Sequence, residues 1–424
     1  MGRFDISRPV SVLCIMKLAY LLSEYPLLEH TYLLREVREL RALGWEVHTV
    51  SIRKPSYRLP ELSPAEQEEW TSTWHVLGSS PLQFLRAHAI TFATRPVRYM
   101  RGLATAWRFG RFHPRLIALS TAHFIEAVLA GYHLRKTGVK HVHSVYTTTV
   151  ALILSNIFDF ELSMTIHGPA EFVDPEGFHI REKVCASQFV CGISYFGRSQ
   201  IMNWSSPSDW HKLEVTPLGI DITAWQPTTF RERPAPFELI SVGRLACVKG
   251  FPLLLDAVGL LASQGRDVRL RLVGDGPERP QLEKQAHQLG IADRIVFEGW
   301  KKQDELLELY RSSDLCVLSS FAEGIPVVLM EAMATGVPCV APRITGIPEL
   351  IRHGIEGLLV TPSYTEELAG AIAELMDKPE LRRQMAKLCR ERIADKYDLR
   401  KNVLHLSEVF SRRMSRDDGQ PPPR

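Results

Sequence analysis

From residue 238 onward, short β-branched runs take turns with stretches whose apolar residues fall every three or four positions: ELISVG, FPLLLDAVGLLAS, VRLRLVG, PQLEKQAHQLG, RIVFEG, QDELLELYRSS and DLCVLSS. The alternation continues through VPCVAP, PELIRHG, GLLVTP and TEELAGAIAELM. Strand and helix in strict turn predict a parallel sheet with helices on both faces. The first half is less regular. Yet EVHTVSI, VKHVHSV, LSMTIHG and FVCGIS are strand-like and separated by helical stretches, which predicts a second doubly wound domain. WQPTTFRERPAPF, with three prolines and no hydrophobic period, marks a linker over 226–237. Two such domains leave a central cleft, and ligands of open parallel sheets bind beyond the carboxyl ends of the strands. The end of the chain, SRRMSRDDGQPPPR, is polar and Pro-rich and predicts a disordered tail over 412–424.

Length changes this picture little: 424 residues exceed what one ordinary core holds, in keeping with two domains of about 200 residues each. A formal charge of +3 implies no nucleic-acid partner. The seven cysteines include no C-x-x-C pair and mostly lie in apolar runs, which predicts reduced structural thiols and no zinc site. The run PVSVLCIMKLAYLL is interrupted by Lys17 and has no small-residue cleavage site after it, so it reads as a first buried strand rather than a leader. HVHSVYTTTVALILSNIF carries too many polar residues for a membrane span. A cytoplasmic protein, at most peripheral on the inner face of the cell membrane, is expected.

Candidate chemistry concentrates in FAEGIPVVLMEAMATG, residues 321–336, where two glutamates stand eight positions apart. Pro326 suits the first turn of a helix that starts near Ile325, and Gly324 permits close approach of a ligand to the backbone. The first N–H groups of that helix form an anion site, while Gly336 ends it. Glu323 precedes the site. Glu331 lies among apolar residues, where a carboxylate costs several kcal/mol, roughly, unless it is paired. It suits a diol such as ribose, although a core glutamate satisfied by an arginine fits the same spacing. A second Gly-Ile-Pro at 346–348 is expected to repeat the anion-site geometry, or to be a plain capped loop.

The E-x7-E pattern, VGRLACVKG, VGDGPE, VFEGW and TGIPELIRHGIEGLLV, in this order and spacing, resemble the donor domain of retaining glycosyltransferases of family 4, which have the GT-B fold. The resemblance covers nearly all of 238–380. It implies two Rossmann-like parallel-sheet domains: 1–225 binding the acceptor, 238–395 the nucleotide-sugar donor, and a helix over 396–411 crossing back to the first. Arg244 and Lys249 resemble the pair that contacts the donor diphosphate, and Gly324, Ile325, Pro326 and Val327 the backbone that holds its phosphates. Glu323 is similar to the family glutamate at the donor sugar, and Glu331 to the one that grips the ribose. His167, in TIHGPAEF, resembles the family histidine facing the sugar; read alone, such a strand-end histidine is more often satisfied structure than catalyst. TPLGIDITAW is similar to the family's PNGVD turn, with Leu218 where asparagine is usual. Upstream, LLSEYPLLEHTYLLREVREL looks like an exopolysaccharide-assembly subgroup in Tyr25, Pro26, Thr31 and Glu36, but departs from it at Glu29, His30 and Tyr32.

Between Glu69 and Glu126 there is no acidic residue, while seven arginines alternate with aromatic side chains. Such a face suits an anionic membrane surface and a lipid-linked acceptor, or arginines paired with acids elsewhere in the fold.

Rival readings fit less well. VGDGPER has Arg279 where the third glycine of a dinucleotide fingerprint would stand, and no Asp-x-Asp serves a metal-dependent transferase. A non-hydrolysing sugar-nucleotide epimerase, or a catalytically silent sugar-nucleotide sensor, would share the fold. The expectation is therefore a retaining hexosyltransferase without metal or cofactor, acting in cell-surface polysaccharide biosynthesis on a glycan or a polyprenyl-diphosphate-linked acceptor. Base, sugar, acceptor and oligomeric state are not written in these motifs.

Overall fold

The computed structural model describes residues 16–27, 31–55, 57, 59, 62–110, 113–168, 170–227 and 229–414. A first sheet of seven strands comprises β1 (Lys17–Glu24), β2 (Glu46–Arg53), β3 (Trp74–His75), β4 (His141–Val145), β5 (Glu161–Ile166), β6 (Phe189–Gly192) and β7 (Leu213–Val215), in the order β3-β2-β1-β4-β5-β6-β7. A second sheet of six comprises β8 (Phe237–Val242), β9 (Val268–Val273), β10 (Ile295–Gly299), β11 (Leu315–Val317), β12 (Cys339–Pro342) and β13 (Gly357–Val360), in the order β10-β9-β8-β11-β12-β13. Pairing is parallel, as in Leu18↔Val47 and Leu18↔His141 of the first sheet and Leu239↔Leu270 and Leu315↔Leu239 of the second. The strand-like runs of the sequence all become strands. β3 and β7 are too short, at two and three residues, to leave a periodic signal.

The helices Phe251–Ser263, Arg279–Gln288, Gln303–Arg311 and Thr365–Asp377 form where the apolar spacing places them. In the helix Phe251–Ser263, Phe251, Leu254, Leu255, Val258 and Leu261 repeat at three and four residues and are all buried against the second sheet. Each such side chain contributes roughly 1.5–3 kcal/mol on burial. Gly250, at φ 60°, supplies the left-handed turn that starts this helix, and a Cβ there would come within 2.3 Å of the Ser319 carbonyl oxygen.

The described residues group into two compact units: one drawn from 1–164, 186–189 and 407–414, the other from 165–185 and 190–406. In the first, Phe410 packs its ring on Tyr20, His143 and Phe189, and the Trp45 indole donates to Ser407 Oγ. The final helix is Leu399–Met414, so it runs three residues into the segment expected to be disordered; residues 415–424 lie outside the described part. Met414 extends a pattern already apolar at Leu406, Val409 and Phe410. In the second unit the linker is tied down. Arg382 donates to the carbonyls of Leu375, Arg231 and Glu232 and sits over the rings of Phe230 and Phe237 at 5.1 and 4.9 Å. Arg231 in turn pairs with Asp314, which also accepts the Glu238 N–H.

Candidate functional site

In the second sheet the strand order reverses between β8 and β11. The loops leaving these two strands therefore flank the crevice where a doubly wound sheet takes its ligand. They are joined by backbone: Phe321 N–H donates to the Val248 carbonyl at 2.8 Å, and the Ser319 hydroxyl to the Lys249 carbonyl at 3.0 Å. A third loop, after β9, presses on the first. A Cβ at Gly274 would lie 2.1 Å from the Gly243 carbonyl oxygen, and one at Gly276 would lie 2.3 Å from that of Leu245. Only glycine allows this approach, and it fixes the backbone that carries Arg244 and Lys249. Arg244 is exposed. Lys249 reaches across to Glu323, Nζ to Oε1 2.6 Å, with most of both side chains shielded from solvent. Residues 74 positions apart thus form one ion pair at the mouth of the crevice.

The helix after β11 is Val327–Ala334, with Pro326 at its N-cap. It begins two residues later than the Ile325 start expected. Pro326 is extended, at φ −71° and ψ 119°, and its carbonyl accepts from Leu329 at 3.2 Å, so it caps the helix rather than entering it. Val327 and Val328 bring the first helical N–H groups to the crevice, which is electropositive through the helix dipole. Leu329 and Met330 are wholly buried. Glu331 is buried as well, and the Tyr310 hydroxyl lies under it, donating to the Val328 carbonyl at 3.0 Å and to Glu331 Oε2 at 3.4 Å. Burial, with the Glu331 charge second, holds the Tyr310 hydroxyl well above the usual tyrosine range, so it stays a donor. The Trp225 ring packs edge-on to Tyr310 at 5.8 Å.

His167 is buried directly after β5, in the same compact unit as Glu323. A Cβ on Gly324 would come within 2.3 Å of the His167 carbonyl oxygen, so the HG loop and the Gly-Ile-Pro loop touch backbone to backbone. Pro169 lies outside the described residues. The second Gly-Ile-Pro loop closes on the first from the other side: a Cβ at Gly346 would stand 2.6 Å from the Gly324 carbonyl oxygen. It does not repeat the anion site. Its helix, Ile347–Leu350, has four residues, and its glutamate is turned away to serve another helix. Glu349 accepts the N–H groups of Tyr195 and Phe196 at 2.8 and 2.7 Å and so caps Tyr195–Asn203.

The structure thus gathers His167, Lys249, Glu323, Gly324, Ile325, Pro326 and Val327 around one point, places Glu331 about one turn farther along the helix, and leaves Arg244 exposed on the adjoining loop. Tyr310, Ser319 and Glu349 support this site and carry no motif of their own. Tyr310 closes an ordinary amphipathic helix, Gln303–Arg311, and its place under Glu331 depends on a contact 21 residues away in sequence. No disulfide joins the six described cysteines, and Cys316 and Cys339 stand opposite one another on β11 and β12. No described helix is long and apolar enough to cross a membrane.

Residues 227–392 match the family described as glycosyl transferases group 1. Over most of its length the chain is similar to a putative colanic acid biosynthesis glycosyltransferase, WcaL, of Escherichia coli: 26% identity, covering 92% of this chain and 98% of that one. A shorter match, 36% identical over 161 residues, is to an alpha-D-kanosaminyltransferase of Streptomyces kanamyceticus; it spans 38% of this chain and 42% of that protein. Among solved structures, Anabaena Alr3699/HepE in complex with UDP superposes with a TM-score of 0.70 at 19% identity, over 94% of this chain and all of that one. That likeness is one of fold, and the fold is GT-B: two Rossmann-like parallel sheets with helices packed on them.

Proposed function

We propose that this chain, a glycosyltransferase, transfers a hexose from a nucleotide-diphosphate sugar to a hydroxyl of a glycan or a polyprenyl-diphosphate-linked acceptor, with retention at the anomeric carbon and without a metal ion. The observation that carries this is the Lys249–Glu323 ion pair at the crevice mouth, beside the N-terminus of the helix Val327–Ala334. A departing nucleoside diphosphate needs fixed positive charge, and Arg244, Lys249 and the helical N–H groups of Val327 and Val328 supply it without a cation. On donor binding Lys249 turns from Glu323 to the diphosphate, which leaves the Glu323 carboxylate for the sugar. Glu331, steadied by Tyr310, holds the ribose diol. His167 faces the sugar ring.

In the transfer the bond between the anomeric carbon and the phosphate oxygen breaks, and the diphosphate leaves with the electron pair. A bond to the acceptor oxygen forms on the same face, and the acceptor proton passes to the departing phosphate oxygen. No carboxylate of the site is assigned as a covalent nucleophile, so no enzyme-bound sugar is invoked. Residues 1–225 would take the acceptor and 238–395 the donor, and the colanic acid role named for the Escherichia coli relative supports a place in cell-surface polysaccharide assembly.

Thermal stabilisation by UDP-, GDP- and ADP-sugars tests the donor: a ligand at 100 times its dissociation constant adds roughly 2.7 kcal/mol. One of the three should raise the melting temperature of the native chain and lose that effect in Glu331→Ala. Absence of a shift with all three would remove the proposal. Turnover that survives EDTA, with an α-linked product from an α-linked donor, is the expected outcome for metal independence and retention.

A further inference from the structure

The helices Pro81–Thr94 and Pro96–Phe109 carry a repeat that neither composition nor family resemblance points to. PLQFLRAHAITF and PVRYMRGLATAW align residue for residue at an offset of 15 positions: proline, aliphatic, any, aromatic, aliphatic, arginine, small, any, alanine, any, small, aromatic. The structure separates the repeated positions into two faces. Two of the small positions point inward: Ala87 and Thr91 on the first helix and Gly102 and Ala106 on the second are buried, and a Cβ on Gly102 would come within 2.4 Å of the Ile157 side chain. Three of the large positions point outward at spacings of three and seven, which is one stripe of a helix, while the Phe84/Tyr99 position is half-buried. Leu82, Leu85 and Phe92 on the first helix, and Val97, Met100 and Trp107 on the second, are exposed by between 49% (Trp107) and 74% (Leu82). His88 and Tyr99 both pack on Phe124 of the helix Pro114–Leu134, so the inward faces share one support.

Charge follows the same register. Arg86 and Arg101 occupy the same repeat position, Arg108 follows Trp107, and all three are exposed with no ion-pair partner among the described residues. Arg95 and Arg98, at the junction of the two helices, are taken up by Asp159. A stripe of large apolar side chains, repeated twice and flanked by Arg86, Arg101 and Arg108, sits in a stretch without a single acid from residue 70 to 125.

We infer that the twin stripes of Pro81–Thr94 and Pro96–Phe109 seat this protein on an anionic lipid surface, with Leu85, Met100 and Trp107 entering the acyl boundary and Arg86, Arg101 and Arg108 at the headgroups. Apolar residues that enter the interface and cations that meet phosphate are the two requirements of an interfacial helix. A second copy of the chain fits poorly, because it would set Arg86, Arg101 and Arg108 against the same three arginines, and the acid at the junction of these helices, Asp159, is already taken up by Arg95 and Arg98.

The test uses the full chain and vesicles of phosphatidylcholine with or without 30% phosphatidylglycerol, and needs neither donor nor acceptor. Its failure therefore leaves the donor proposal standing, and the reverse also holds. The chain should sediment with the anionic vesicles and be released by raising salt from 0.1 to 0.5 M. The variant Arg86→Gln/Arg101→Gln/Arg108→Gln should lower the partition about 100-fold, at about fivefold per arginine. Leu85→Ser/Met100→Ser/Trp107→Ser should abolish it, with an unchanged far-UV spectrum because these side chains are exposed. Should either variant misfold, the salt release of the unmodified chain still decides. Equal recovery in the supernatant with and without anionic lipid overturns the inference, as does equal binding to pure phosphatidylcholine. A dimer in solution that the Leu85→Ser/Met100→Ser/Trp107→Ser variant turns into a monomer overturns it as well and assigns the face to a second copy.

Discussion

Gly-Ile-Pro occurs twice, at 324–326 and 346–348, each time between a strand and a helix, and the two copies do different things. In the first, proline is the N-cap and eight helical residues follow, ending in a buried run that carries Glu331. In the second, glycine is the N-cap, proline lies inside the first turn, and the helix stops after four residues. A shift of two positions in where the helix begins separates them. The first loop keeps its helix terminus toward the crevice, with its carboxylate, Glu323, paired to Lys249. In the second, the carboxylate follows the proline and is spent as the cap of Tyr195–Asn203, while its own backbone is held by Arg392 and Tyr397 through the Glu349 carbonyl. Identical tripeptides do not specify identical sites. In the proposed function the first is the binding loop and the second its buttress, packed against the Gly324 carbonyl.

Substitutions should separate the two roles. Glu323→Ala and Arg244→Ala should each lower turnover by about 100-fold or more, as expected when a charge at a reacting centre is removed. Their melting temperatures should stay close to that of the parent, because Arg244 is exposed and Glu323 loses one partially shielded pair. Near-normal turnover in both would defeat the assignment of the first loop. Next in size is Glu331→Gln, which should raise the donor KM about tenfold with little change in kcat, the pattern of lost uniform binding. A fall in kcat without a change in KM would place Glu331 at the reacting centre instead and erase its distinction from Glu323.

The buttress should respond in stability rather than rate. Glu349→Ala removes two charge-assisted hydrogen bonds at a helix N-terminus, a loss of about 1–2 kcal/mol, and should lower the melting temperature by about 2–4 °C. Turnover at a temperature well below that transition should remain within about twofold of the parent. A 100-fold loss of turnover from Glu349→Ala would mean that the second loop also handles substrate.

The sequence shows much of this architecture and little of its wiring. The strands β8, β11, β12 and β13 of the second sheet stand out as short apolar runs, because burial on both faces demands one. The position of Glu331 is equally plain, since a carboxylate inside an apolar helix is a local anomaly, and Glu323 stands eight positions before it. What joins them is not local. The Lys249–Glu323 pair spans 74 positions, and Arg382 secures the linker from about 150 residues away. Neither residue differs in sequence from a surface charge. The 18-residue helix Pro379–Lys396 carries many charges at irregular spacing, and its buried Arg382, Met385, Cys389 and Ile393 form too thin a stripe to announce it. The register difference between the two Gly-Ile-Pro loops is likewise decided by tertiary packing, with Gly346 pressed on Gly324 and Thr345 held at φ 45°.

The smallest expected effect concerns the tyrosines beneath the two loops. Tyr310 donates to the first helix, and Tyr397 donates to the Glu349 carbonyl at 2.9 Å. Burial pushes the Tyr397 hydroxyl up from 10.0 to about 12. A phenol whose folded value exceeds its unfolded value binds its proton more tightly when folded, so stability is fully present below pH 10 and falls as pH rises from about 10 towards 12. At pH 11 the unfolded phenol is mostly ionised while the folded one is not, a loss of about 1 kcal/mol relative to pH 9. Tyr397→Phe should flatten that part of the curve and leave the donor KM alone, because Tyr397 supports only the buttress. Tyr310→Phe should flatten it as well but also raise the donor KM, because its hydroxyl steadies Glu331. Urea unfolding of the two variants at pH 9 and pH 11, with donor KM measured at pH 8, distinguishes them. An equal rise in KM for both would mean that the two loops act as one binding unit rather than as a site and its support.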